Sequence, residues 1–316
     1  MMAGRTPVTS CTLTCAIEQF LRAKEAAFRS KATIAKYEDM LKRFAQYVGE
    51  EKPLEVINTQ VIRNFLASKR REGLTASSID TYFRTLHTFW KWATKEYALS
   101  DNPMQGVDRP HVPKRLPPYL TDKECQQMLQ AAKKSRNPER DWAILLTLFD
   151  TGIRAGELVG LRVKDVNFEM GTITVYGKDT EERCIPIGKV TVTALKAYLK
   201  DRIHNLESPV FISTRTNEAL TVCGLREIIR RIAKAAGLQR RVYPHLFRHT
   251  FAYRWIRMGG NVEKLRYILG HSRLDTTHIY AMARPEDILE EHRRLNPVGD
   301  LVERVKVLPL LGGEVK

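Results

Sequence analysis

Five prolines, Pro103, Pro110, Pro113, Pro117 and Pro118, fall within 16 residues of a 316-residue chain. Proline locks φ near about −65° and carries no amide hydrogen, so neither a helix nor an interior strand runs through such a stretch. With Lys114 and Arg115 inside it, the segment reads as a semi-extended linker. It obliges the chain to fold as two bodies, each with its own core, and the length is right for about two domains. The expected limits are an N-terminal helical domain at 1–108, a Pro-rich linker at 109–118 and a C-terminal domain at 119–316.

Ahead of the linker the apolar residues recur at helical spacing. Ile17, Phe20 and Leu21 share a face. Tyr37, Leu41, Phe44 and Val48 do so next, then Val61, Ile62, Phe65 and Leu66, with Gly73 as a stop. A fourth set is Ile79, Tyr82, Phe83, Leu86, Phe89, Trp90 and Ala93. The spacing predicts helices over 11–105 whose aromatic stripe packs a core rather than stacking on bases. After the linker, Thr121-x-x-Glu124 is a capping box, and Asn137-Pro138 opens a helix that ends near Gly152. Residues 172–176 and 183–187 alternate as a small hairpin. Gly237, Gly259-Gly260 and Gly270 suit helix ends in the remainder. The fold class is therefore mainly α: a helical N-terminal domain plus a mixed, mostly helical C-terminal domain with a small β-hairpin or sheet.

Charge narrows the partner. Lys plus Arg number 52 against 36 Asp plus Glu, a net of +16. That excess favours a polyanion, nucleic acid ahead of an anionic membrane surface. Residues 226–266 hold 11 basic residues and only Glu227 and Glu263 on the acidic side. No apolar run approaches the roughly 18 residues of a spanning helix, and residues 1–10 lack a signal-peptide pattern. Five irregularly spaced cysteines, with no C-x-x-C pair, make disulfide and zinc frameworks poor readings and a reducing cytoplasm the expected compartment.

Four segments carry chemistry: Thr151-Gly152-Ile153-Arg154-Ala155-Gly156-Glu157, Gly177-Lys178 at the hairpin turn, His245-Leu246-Phe247-Arg248-His249, and Leu269-Gly270-His271 followed by Tyr280. His245 and Arg248, three apart on one helix that Pro244 helps to open, share a face. Arg248 can fork onto a phosphate, Arg154 can supply a second guanidinium, and Glu157 can orient Arg154. His271 is expected to leave a tight turn after Gly270. Singly each signal is weak. His249 and His278 read as structural, and Arg162, Lys164 and Arg183 as surface residues or DNA contacts. Gly171 to Lys178 misses a phosphate-binding loop by spacing and by Asp179, and His245/His249 lacks the glutamate of a zinc helix. Neither ATP nor zinc is supported.

Taken jointly, in this order and spacing, the segments resemble the tyrosine recombinase (phage integrase) family, nearest in layout to the Xer-type recombinases. The resemblance spans nearly the whole chain. It implies a SAM-like core-binding domain, a linker and a catalytic domain gripping duplex DNA as a C-shaped clamp. It implies Arg154, Lys178, His245, Arg248 and His271 as the catalytic set, Tyr280 as the nucleophile and Glu157 as acidic support. It further implies strand cleavage through a 3′-phosphotyrosyl link, four protomers in the synapse, a possible partner recombinase, and no cofactor or required metal. Gly156 stands where a small polar residue is usual. The 36 residues after Tyr280 exceed a minimal Xer-like end, and by resemblance that tail packs on a neighbouring protomer. Two other readings are a non-cleaving DNA-binding protein on the same scaffold and a metal-dependent nuclease using the histidines.

Overall fold

Hydroxyl and amide side chains open the helices of the N-terminal half. The structure, a computed structural model, describes residues 11–113, 116–177 and 182–271. Thr12 accepts the Cys15 amide at the start of α1 (Leu13–Ala26), and Ser30 accepts that of Thr33 at the start of α2 (Lys31–Val48). Asn58 and Thr75 do the same for α3 (Thr59–Arg71) and α4 (Ala76–Glu96). Each such cap is worth about 1 kcal/mol, because it satisfies an amide the helix leaves orphaned. Between these four starts, the apolar stripes turn inward. Phe20, Phe44, Phe65, Phe89 and Trp90 are fully buried. Their rings meet edge-on, Phe44 against Phe65 at 5.1 Å and Phe20 against Phe89 at 5.5 Å. The aromatic stripe is core, as its spacing predicts.

The chain divides into two compact units, Met1–Lys114 and Arg115–Lys316. In the second, the predicted capping box forms: Thr121 and Glu124 satisfy each other's amides at the start of α5 (Asp122–Lys133). α6 (Pro138–Thr151) starts on its proline and packs against α5, α8 (Lys189–Leu199) and α10 (Pro244–Arg257). Two carboxylates fasten α6 to its neighbours. Buried Asp141 accepts from Arg140 and, at 2.8 Å, from Arg231 of α9 (Val222–Ala235). Asp150 accepts the Gly188 amide at 2.6 Å and the Thr191 hydroxyl at 2.7 Å, capping α8.

A three-stranded antiparallel sheet, β1 (Val166–Asn167), β2 (Thr172–Tyr176) and β3 (Glu182–Pro186), lies between α7 (Ala155–Gly160) and α8 in the chain. Its register pairs Ile173 with Ile185 and Val175 with Arg183. Ile173 and Val175 of β2, and Arg183 and Ile185 of β3, face inward. The inward arginine departs from the sequence expectation of a surface position or DNA contact, and the reason is strand alternation: Arg183 lies two residues from Ile185.

Gly152 ends α6 in the left-handed conformation, φ +61°, and redirects the chain toward Arg154. A Cβ there would stand 2.7 Å from Cδ1 of Phe251 on α10. Gly73 has φ +83° but open space around it. Gly152→Ala is expected to cost about 2–4 kcal/mol from strain plus overpacking, against about 1 kcal/mol for Gly73→Ala. Denaturant midpoints of the two variants measure the difference.

Candidate functional site

The site is built where three helix ends of the second unit converge: the C-terminus of α6, the N-terminus of α10 and the C-terminus of α11 (Val262–Leu269). A helix C-terminus leaves carbonyls without amide partners and carries partial negative charge. At α11 three successive carbonyls are each taken by a different guanidinium. Ile268 accepts Arg183 Nε at 2.9 Å, Leu269 accepts Arg248 Nη2, and Gly270 accepts Arg154 Nη2 at 2.9 Å. Arg248 also reaches back to the Gly152 carbonyl, at 3.0 Å, so the end of α6 is tied to the same cluster.

Glu157 binds two of these arginines. Its Oε1 accepts Arg154 Nη1 at 2.7 Å and Arg183 Nη1 at 3.1 Å. Its Oε2 accepts the Arg154 amide at 2.8 Å and Arg183 Nη2 at 2.7 Å. The carboxylate and the Arg183 guanidinium are 6% and 7% exposed, whereas Arg154 is 43% exposed and presents its outer edge to solvent. Burial alone would raise the Glu157 carboxyl. Hydrogen bonds from Arg183 and Arg154 outweigh it and hold the group below the ordinary carboxylate range. The orienting role that the sequence predicts for Glu157 has a geometry here. Arg183 is the residue that motif reading missed. The strand alternation that points Ile185 inward is the signal that finds it.

Three histidines surround the arginines. Gly270, at φ +61°, ends α11, and the His271 amide bonds the Arg266 carbonyl, so the ring leaves a tight turn. Burial, with Arg248 and Arg154 next in weight, drives its pKa down to about 3. His249 falls to about 4, from burial and then from His245 and Arg248. His245 is solvent-facing at its helix N-terminus, yet desolvation by the packed helix ends, then Arg248 and Arg154, lower its pKa too. All three imidazoles are neutral near pH 7. The rings of His245 and His249 meet edge-on at 4.6 Å. His249 thus packs beside His245 in the same cluster. Lys178 and Tyr280 lie outside the described residues, as does His278. Of the sequence-predicted set, the structure brings together Arg154, Glu157, His245, Arg248 and His271. Arg162 and Lys164 stand apart, both paired with Glu207. Among the described residues no three His, Cys, Asp or Glu side chains group as a metal site, and no helix is long and apolar enough to cross a membrane.

Arg154 and His245 open onto a groove of about 1170 Å³ between α9 and the start of α10. Arg226, Arg230, Lys234, Arg240 and Arg241 also line it, against a single acidic residue, Glu227. Such a wall fits a polyanionic backbone running past the guanidinium cluster.

Known proteins resemble this chain over most of its length. The model of the phage integrase family matches residues 118–287, and that of the phage integrase N-terminal SAM-like domain matches residues 17–97. The chain is similar to tyrosine recombinase XerD of Listeria monocytogenes serotype 4b, 31% identical over 278 residues, covering 85% of this chain and 93% of the relative. It is 30% identical to tyrosine recombinase XerC of Pelotomaculum thermopropionicum, covering 80% and 87%. Among solved structures it resembles XerA recombinase, with 28% identity, a TM-score of 0.51, and 89% and 98% coverage. It also resembles the Tn1549 transposon integrase in complex with a circular intermediate DNA, at 22% identity and a TM-score of 0.75, covering 90% and 100%. That last likeness is one of fold.

The lowered histidines set a pH dependence. A histidine whose folded pKa lies below its ordinary value near 6.5 takes up its proton first in the unfolded chain. Stability therefore falls as pH drops from about 6.5 toward 4. His249→Gln is expected to remove about 1 kcal/mol of that loss, a figure discounted for the partial exposure of the ring. Denaturant unfolding of both proteins at pH 7 and pH 4.5 measures it.

Proposed function

The chain belongs to the phage integrase family of tyrosine recombinases, enzymes that cleave and rejoin DNA at specific sites, and we propose that Tyr280 is its nucleophile and the cluster around Glu157 its phosphate-binding site. The observation that carries this reading is the gathering of Arg154, Arg248, His245 and His271 in one cluster, of which Arg154 and His245 line a cationic groove. Phosphoryl transfer asks for positioning and charge stabilisation more than for covalent help from the protein. Arg154 and Arg248 hold the nonbridging oxygens of the scissile phosphate, and His245 and His271 add donors as charge builds at phosphorus. Arginine suits that place because its fork matches the oxygens and stays protonated.

The step balances without an outside reagent. The Tyr280 hydroxyl oxygen forms a bond to phosphorus while the bond to the 5′ oxygen breaks. A phenol ionises near about pH 10, so it needs a proton acceptor, and neutral His245 is that acceptor. Lys178, between β2 and β3 in the sequence, gives a proton to the leaving 5′ oxygen. The product is a 3′-phosphotyrosyl link and a free 5′ hydroxyl. The bond energy kept in that link lets a second 5′ hydroxyl reverse the reaction on a new partner strand. The partner is double-stranded DNA carrying a recombination site, engaged by a tetramer in the synapse, either of this chain alone or of this chain with a partner recombinase. Integration, excision and resolution use this same chemistry. The domain limits of the same reading are core-binding at 1–108, linker at 109–118 and catalytic at 119–316, with a cytoplasmic setting where DNA is at hand.

Capture of the protein from its host under fully denaturing conditions, followed by sequencing of attached DNA, tests the reading. Wild type is expected to retain DNA enriched at one short, near-palindromic site, and Tyr280→Phe to retain none. Native binding by both with no covalent DNA from either would instead support a non-cleaving DNA-binding protein. Independently, Arg226→Ala or Lys234→Ala in the groove is expected to weaken DNA binding across all sequences. Each should reduce the slope of log K against log salt by about 1, as one phosphate contact is lost. Titrations at several salt concentrations read that slope.

A further inference from the structure

Arg183 belongs to none of the four chemistry-bearing segments, yet it ties Glu157 of the first to the turn of α11 that leads into the last. It leaves the inward face of β3, 6% exposed, and each of its three nitrogens donates to one of two elements. Nη1 and Nη2 grip both oxygens of Glu157 on α7, and Nε donates to the Ile268 carbonyl in the last turn of α11. The next two carbonyls of that turn hold Arg248 and Arg154, and the next residue along the chain is His271. The backbone is shaped around the guanidinium as well. A Cβ on Gly270 would stand 2.9 Å from Arg183 Nη1 and 3.0 Å from its Cζ, so the turn that delivers His271 closes directly over Arg183.

We propose that Arg183 is a positioning residue for strand cleavage: by locking Glu157 to the C-terminal turn of α11, it fixes where Arg154 and His271 meet the scissile phosphate. The inference rests on the recombinase reading and deepens it, since Arg183 reaches the phosphate only through residues already assigned to it. The fork explains the residue type. Three N–H groups in one plane satisfy two carboxylate oxygens and a carbonyl at once, which the single ammonium of lysine does not. Arg183 is also one of the cations that keep His271 neutral, behind burial, Arg248, Arg154 and His245. Without the clamp, Arg154 keeps Glu157 as a local partner and the Gly270 carbonyl as its own hold on α11, but Glu157 loses its second tie, through Arg183 to Ile268, and one bond then carries the junction. Displacements of about 1 Å at such a site cost on the order of a hundredfold in rate.

The test is single-turnover cleavage on a nicked suicide substrate carrying the site recovered by denaturing capture. Wild type, Arg183→Gln, Arg183→Lys and Tyr280→Phe are compared at saturating DNA, with affinity measured separately. Arg183→Gln is expected to lower the cleavage rate constant about a hundredfold while DNA affinity stays within about threefold, and Arg183→Lys to recover part of the rate. A purely structural role gives a different signature. Loss of folded protein lowers the amplitude of covalent product and the apparent binding capacity, and leaves the rate constant of the remaining molecules unchanged. Arg183→Gln with a wild-type rate constant, or a loss confined to amplitude, overturns the proposal. If wild type itself forms no covalent product, the recombinase reading fails first, and Tyr280→Phe marks that case by being indistinguishable from it.

Discussion

The arrangement depends on one buried carboxylate. Glu157 has two oxygens, and each accepts two donors: Arg154 side chain and amide on one side, the Arg183 fork on the other. A charge so deeply buried is tolerated only when paired and hydrogen-bonded, and removing one partner of such a pair costs about 3–5 kcal/mol. That constraint runs in both directions. Glu157 keeps two guanidiniums from scattering, and they in turn keep it ionised. Because Arg183 and Arg154 also reach the carbonyls of Ile268 and Gly270, the carboxylate indirectly sets the end of α11 and the turn into His271.

The end of α11 solves a second problem, which is how to hold three cations close together. Unpaired carbonyls at a helix C-terminus supply acceptors and partial negative charge where mutual repulsion would otherwise drive the arginines apart. The cost is carried by the imidazoles. With solvent partly excluded and Arg248 close by, joined by Arg154 at His245 and His271 and by His245 at His249, the three imidazoles are held neutral. The site thus combines fixed positive charge from arginine with imidazoles able to accept or donate a proton, the division of labour that a phenol nucleophile and a phosphate substrate require.

Helix positions, the core stripes, the Thr121–Glu124 capping box and the helix-ending glycines were all legible in the sequence, because each follows from local spacing or a local hydrogen bond. The family was legible because Arg154, His245, Arg248, His271 and Tyr280 recur in a fixed order. What local rules did not reveal is long-range pairing. Arg183 looks like any strand arginine until the register against Val175 turns it inward, and its partners lie 26 and 85 residues away. Arg248 likewise reads as a phosphate fork from its motif, whereas its 1% exposure and its bonds to Gly152 and Leu269 show how its guanidinium is held in place. Alternation with Ile185 was the one clue to Arg183, and it is informative only once the hairpin is trusted over the charge of the side chain.

The central claim is that Glu157 and Arg183 act as one unit on the reacting phosphate. A double-mutant cycle on the single-turnover cleavage rate, using Glu157→Gln, Arg183→Gln and the pair, addresses it most directly. The account predicts strong coupling: the double variant cleaves no more slowly than the slower single variant, because either change alone already releases the clamp. Losses that multiply, so that the double variant falls by the product of the two single effects, would show two independent contributions and contradict the account.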